Sequence, residues 1–111
     1  RSMLSGRIER NAHTTGSICD AILTPTVGDI TFPILQRLCG PGIVVSDDDC
    51  LHAMAQPFLR LKLVIEPGGA AALAAALTPG DELTSDTVIV VASGGNVDPD
   101  MYIRALQGLS V

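Results

Sequence analysis

Residues 87–92, Thr-Val-Ile-Val-Val-Ala, are an almost unbroken run of apolar, mostly β-branched side chains. A strand with one wet face alternates polar and apolar positions, so a run without that alternation has to be covered on both faces. Such a strand needs neighbours in a sheet and helices above and below it. Ile43-Val44-Val45 is the second segment of this kind. Helical patterns surround the two, in the order helix, strand, helix, helix, strand, helix, which implies α/β architecture with parallel strands. Two strands cannot make a doubly covered sheet. The chain therefore reads as half of a domain with an incomplete sheet, and its 111 residues suffice for one core rather than two.

The core must be built from small and aliphatic side chains, because Phe32, Phe58 and Tyr102 are the only aromatic residues. The net charge of −5 opposes nucleic acid or an anionic membrane as partner, since both require a basic face. Cys19, Cys39 and Cys50 are odd in number and widely spaced, which fits neither a CxxC pair nor a disulfide framework. They read as reduced, mostly buried thiols of a cytoplasmic protein. The apolar run 70–77 is far shorter than a membrane span. Arg1-Ser2-Met3 opens directly on a helical pattern, from which upstream sequence is expected.

Along the chain, 1–10 reads as the end of a polar helix and 11–17 as a loop. Residues 18–23 form a short apolar segment closed by Thr24-Pro25. Asp29 is a candidate N-cap for a helix over 29–38 that Gly40-Pro41-Gly42 stops. Ser46 and Asp49 resemble a capping box, and Asp47, Asp48 and Asp49 suit the positive end of the helix dipole. Leu51, Met54, Ala55 and Phe58 then define a buried stripe, interrupted by Pro57. Glu66-Pro67-Gly68-Gly69 breaks the chain before an Ala-rich helix over 68–77. A polar turn over 78–86 leads to the second strand, and a last helix runs over 98–108.

Chemistry concentrates at Ser93-Gly94-Gly95-Asn96-Val97-Asp98. A buried strand delivers a glycine pair into a loop just before a helix. In open α/β sheets ligands gather at the carboxyl ends of strands, where bare amides can hold anions. By itself the segment reads equally as a tight turn capped by Asp98. Its company narrows the choice. In order stand Ser17-Ile18-Cys19-Asp20-Ala21, Val45-Ser46-Asp47-Asp48, 61–70 (Leu-Lys-Leu-Val-Ile-Glu-Pro-Gly-Gly-Ala) and 93–98. This series resembles the carboxyl-terminal region of fold-type II (tryptophan synthase β-like) pyridoxal-phosphate enzymes, in particular threonine dehydratases (threonine ammonia-lyases), serine racemases and hydroxyectoine-utilisation dehydratases. The resemblance covers essentially the whole chain.

The resemblance implies a place in the three-layer large domain of such an enzyme, with 1–111 as the carboxyl-terminal part of that one domain. It implies that Ser93 hydrogen-bonds the cofactor's pyridine nitrogen, with Gly94 beside it. It also implies that Ala21 lies against the ring, where many relatives carry glycine. Glu66 reads equally as a functional group near the active-site end of its helix and as a partly solvated helix-end acid. Two family features are missing from the chain: the lysine that holds the cofactor aldehyde and the run of four glycines that cradles its phosphate. Lys62, the sole lysine, falls in the family's late helix and reads as a snorkelling surface residue. The family's cation-binding acids would fall before Arg1, so no metal site is expected. His13 and His52 lack partners at ligand spacing.

The expected activity of the parent is loss of water, then ammonia, from a β-hydroxy amino acid to give a 2-oxo acid. The chain alone is expected to be inactive and to bind no cofactor covalently. Its expected partners are the missing amino-terminal part of the same protein and further copies of itself. An alternative is a non-catalytic assembly module that pairs with another chain. A third reading is a small stand-alone domain that binds an anion through Gly94 and Gly95.

Overall fold

The computed structural model describes residues 1–78 and 83–109. They form five helices and one 3-10 turn: α1 (Ser2–Ser5), the 3-10 turn Asp20–Ile22, α2 (Thr31–Leu38), α3 (Asp47–Leu61), α4 (Pro67–Leu77) and α5 (Pro99–Gln107). The helix expected over 1–10 is a single turn, because Gly6 closes it in the left-handed region at φ 71°. Asp29 is not the cap of α2. Ile30 occupies that position without a side-chain bond, and the Phe32 N–H donates to the Gly28 carbonyl instead. Residues 79–82, inside the polar turn expected over 78–86, lie outside the described residues.

α3 forms as its sequence dictates. The Ser46 Oγ accepts from the Asp49 N–H at 3.1 Å, and the Ser46 N–H donates to Asp49 Oδ2 at 2.8 Å. This closes the capping box, and three aspartates follow in the first turn. The helix runs through Pro57 to Leu61, although proline has no N–H to return to the Ala53 carbonyl. Pro57 is buried, and nothing further in the structure explains its choice. At the far end Lys62 sits at φ 60°, with its N–H donating to the Phe58 carbonyl and the Leu63 N–H donating to the Pro57 carbonyl. The Lys62–Phe58 bond is the 5→1 bond of the αL helix cap, with lysine where glycine is usual.

α4 begins with Pro67 at its first position, and Gly68, Gly69, Ala70 and Ala74 are buried. Side chains this small let α3 and α4 approach closely, and this pair makes the most extensive helix contact in the fold. α5 packs on α3 beside it. The shared core holds Cys19, Cys50, Ala53, Met54, Ile65, Ala70, Ala74 and Ala105, and its largest fully buried side chains are Met54 and Cys50. Phe58 and Tyr102 meet edge to face at 5.6 Å on its flank.

The two expected strands are corrected. Among the described residues no strand ladder forms, and neither 43–45 nor 88–91 makes a backbone hydrogen bond. The physical reason lies in what defines a strand: its hydrogen bonds run to a neighbour, and none pairs with either segment among the described residues. Each segment has a bare side, with Val44 and Ile89 each 91% exposed, while Val45 and Val90 are half-buried. Among the described residues the sheet of a three-layer arrangement is therefore not seen. Burial of the thiols is also partial, since Cys39 is exposed while Cys19 and Cys50 are buried. Among the described residues no helix is long and apolar enough to cross a membrane.

Candidate functional site

The amino terminus of α4 is the point on which the candidate residues converge. Glu66 caps the helix in an extended conformation, and its N–H donates to the Gly94 carbonyl at 3.0 Å. That bond holds the 93–96 loop against the start of α4, and three glycines make the contact possible. A Cβ on Gly69 would lie 2.6 Å from the Gly94 carbonyl oxygen and 2.9 Å from its nitrogen. A Cβ on Gly95 would lie 2.7 Å from the Val64 carbonyl oxygen, and one on Gly94 would collide with the Glu66 carboxylate. Each distance is far below van der Waals contact, so these positions exclude any side chain without rearrangement.

On the other side of α4, Gly68 faces the 3-10 turn. A Cβ there would lie 3.3 Å from Ile22 Cγ2 and 3.6 Å from Ala21 Cβ. Ala21, Glu66 and Gly94 are thus gathered around a single helix start. Ser93 leads into the same loop; it is exposed, and its hydroxyl makes no hydrogen bond to a described residue.

A polar cavity of about 240 Å³ opens between the starts of α4 and α5. Asp20, Glu66, Asn96 and Asp98 line it, with Ile18 and Met101 on its apolar side. Ser93, Gly94 and Ala21 border the same helix start without lining this cavity. Sequence reasoning weighed Glu66 here and passed over Asp20 and Asn96, although both stand inside the motifs that drew attention. It also missed what Asp47 does. The Ser17 Oγ–H donates to Asp47 Oδ1 at 2.6 Å, the Ile18 N–H donates to Asp47 Oδ2 at 3.2 Å, and the Cys19 N–H donates to the Ser17 Oγ at 3.1 Å. Asp47 thereby ties the segment leading to Ala21 onto the first turn of α3. The signal was a serine and an aspartate thirty residues apart, which no local pattern connects.

The two buried thiols, Cys19 and Cys50, meet in the same region. Burial, and after it the neighbouring Cys19, push the Cys50 thiol up to about 12. Lys62 stands at the opposite end of α3, where its ammonium donates to the Leu59 carbonyl at 2.9 Å and lies 5.9 Å from the Phe58 ring centre. His52 is exposed on α3 beside Gln56. Among the described residues no group of three or more His, Cys, Asp or Glu converges as metal ligands would.

The residues present fit one end of pyridoxal phosphate. The unengaged Ser93 hydroxyl, on a loop held by the Glu66–Gly94 bond, suits an aromatic ring edge that carries a nitrogen acceptor. The three carboxylates of the polar cavity oppose a phosphate dianion, so this cavity does not suit the phosphate end.

Known proteins share this sequence and shape. A family model described as pyridoxal-phosphate dependent enzyme matches residues 1–94. The serine racemase of Dictyostelium discoideum is 43% identical over 112 residues, spanning 96% of this chain and 34% of that protein. The L-threo-3-hydroxyaspartate ammonia-lyase of a Pseudomonas species is 32% identical, spanning 97% of this chain and 34% of its own length. The crystal structure of a threonine deaminase from T.th. superposes with a TM-score of 0.81 at 39% identity, covering 88% of this chain and 33% of that one. The chain thus spans about a third of the length of these relatives. With matching sequence, shape and ordered motifs, it belongs to the fold-type II pyridoxal-phosphate dependent enzyme family.

Proposed function

We propose that this chain supplies one wall of the cofactor site in a pyridoxal-phosphate-dependent lyase that removes water, then ammonia, from a β-hydroxy amino acid. One observation carries the reading: the Glu66–Gly94 bond and the glycine contacts at Gly69 and Gly95 fix the loop that presents Ser93. When bound, pyridoxal phosphate supplies an electron sink for bond cleavage at the substrate's α- and β-carbons. The Ser93 hydroxyl donates a hydrogen bond to the ring nitrogen without placing a proton on it, which weakens that sink and suits loss of a β-hydroxyl. Ala21, a small residue, keeps the approach to the ring free of bulk, and Gly94 leaves room for the carboxylate of Glu66, which holds the loop. Glu66 holds the Ser93 loop in register through its backbone N–H, while its carboxylate faces the polar cavity.

In this reading residues 1–111 are the carboxyl-terminal part of one three-layer large domain, completed by amino-terminal sequence and assembled as an oligomer in the cytoplasm. Lys62 is engaged in ending α3, so the lysine that holds the cofactor comes from elsewhere, and the chain alone is expected to be inactive. The exposure of Val44 and Ile89 also supports a second reading, in which the chain is an assembly module for a separate polypeptide.

The test is reconstitution. The chain is co-expressed with the portion of the Dictyostelium discoideum serine racemase that it does not cover, and 2-oxo acid release from L-serine and L-threonine is measured with pyridoxal phosphate. Ser93→Ala is expected to lower kcat by about tenfold or more, with unchanged stability because Ser93 is exposed. An unchanged kcat would remove Ser93 from the site. Absence of product from an assembled, cofactor-loaded complex would leave the assembly-module reading.

A further inference from the structure

The three aspartates in the first turn of α3 do three different things. Asp49 closes the capping box with Ser46. Asp48 is exposed and takes no part in the cap. Asp47 is half-buried and commits both carboxylate oxygens to a segment about thirty residues earlier, through the Ser17 hydroxyl and the Ile18 N–H. At 2.6 Å the bond from Ser17 has the length of a charge-assisted O–H···O bond. Because the Ser17 Oγ also accepts from the Cys19 N–H, one carboxylate holds two successive backbone amides, directly or through Ser17. An acid that only complemented the helix dipole would need none of these bonds.

Ala21 follows two residues after Cys19, in the 3-10 turn that packs against Gly68 of α4. The Ile22 and Leu23 N–H groups donate to the Cys19 and Asp20 carbonyls, which fixes the shape of this turn but not its place against α4. Alanine has no polar group with which to anchor itself. The anchors stand on either side. After the turn, the Asn11 side-chain amide donates to the Thr24 carbonyl at 2.7 Å and the Asn11 N–H to the Pro25 carbonyl at 2.8 Å. Asn11 is exposed in a loop. Before the turn stands Asp47, on the helix that carries the core, with Cys19 packed beside Cys50 in that core.

We infer that Asp47 is a positioning residue for the cofactor ring, acting through Ser17, Ile18 and Cys19 to fix where Ala21 stands. The inference rests on the proposed function, which puts Ala21 against that ring. A small side chain sets the place of a ring only if its own backbone is held, and a misplacement of about 1 Å can lower a rate by about 100-fold.

Two readouts test it. Amide hydrogen exchange at Ile18 and Cys19 is followed in the chain alone. Visible circular dichroism per molecule of bound cofactor is recorded at saturation, in the complex with the uncovered portion of the Dictyostelium discoideum serine racemase. Asp47→Ala is expected to speed exchange at both amides by about tenfold or more. In the complex it is expected to lose most of the dichroic band and to lower kcat by about tenfold or more, with KM little changed. Ser17→Thr keeps the hydroxyl and should keep the band. Ser17→Ala removes two of the three bonds and carries the test if Asp47→Ala does not fold. Asp48→Ala removes a charge from the same turn, and Ser46→Ala loosens the same helix end; both should leave the band as it is. Faster exchange with an unaltered band overturns the inference, as does unaltered exchange. Equal loss of the band in Ser46→Ala also overturns it, by reducing Asp47 to a stabiliser of α3. A wild-type complex that retains no pyridoxal phosphate overturns the proposed function, and this inference falls with it.

Discussion

Gly69 faces the backbone of Gly94 with no room for a methyl group, and unlike the Glu66 carboxylate against Gly94, that backbone cannot swing aside. Gly69→Ala is therefore expected to destabilise the chain by about 1–3 kcal/mol, read as a lower urea midpoint. Gly94→Ala should cost less, because only a flexible side chain has to move. Equal costs would mean that the loop is not seated as described. The thiols give a second residue-scale expectation. Cys39 is exposed while Cys19 and Cys50 are buried, so iodoacetamide near about pH 8 should modify one thiol quickly and the other two only on unfolding. Burial holds the Cys50 thiol protonated to about 12, above its ordinary 9.0. Its contribution to stability is full below pH 9 and declines as pH rises from 9 through about 12. That share of the alkaline loss should vanish in Cys50→Ala. A Cys50→Ala chain that loses stability as the wild type does would contradict it.

At the scale of elements, α3 is the best specified part of the molecule. Its capping box is expected to contribute about 1 kcal/mol, lost in Ser46→Ala. The Asp49 carboxyl is held below its ordinary 3.8, first by the Ser46 hydroxyl and then by the Ser46 backbone. The carboxylate's share of the cap is therefore present above pH 3.8 and lost as pH falls through the lower folded value. Helicity of the Ser46→Ala chain should show less of this acid transition; an unchanged transition would place its origin elsewhere. α3, α4 and α5 were legible because capping pairs, helix-start prolines and apolar periodicity are local signals. The strands at 43–45 and 87–92 were legible as strand sequence but not as structure, since a strand's hydrogen bonds run to a neighbour and none lies beside them among the described residues. The convergence of Ala21, Glu66 and Gly94 was legible through family resemblance. The Asp47 tie to Ser17 and Ile18 was not, because it joins residues thirty apart by packing alone.

For the whole molecule, the small core and the bare apolar walls have one cause. A face built to be covered is open, with Val44, Ile89 and Val91 each at least 70% exposed. The cofactor-site residues lie at the start of α4, and a cavity of about 630 Å³ between 43–45 and 88–90 lies along the same helix, so α4 links the candidate chemistry to the open face. Lys62, the residue that could compete for a covalent role, stands at the far end of α3 with its ammonium engaged. The most direct measurement is therefore the absorbance of the chain mixed with pyridoxal phosphate and then dialysed, alone and reconstituted with the missing portion of a relative. The account predicts that cofactor absorbance survives dialysis only in the reconstituted complex. A band that the chain alone retains, and that Lys62→Ala abolishes, would contradict it.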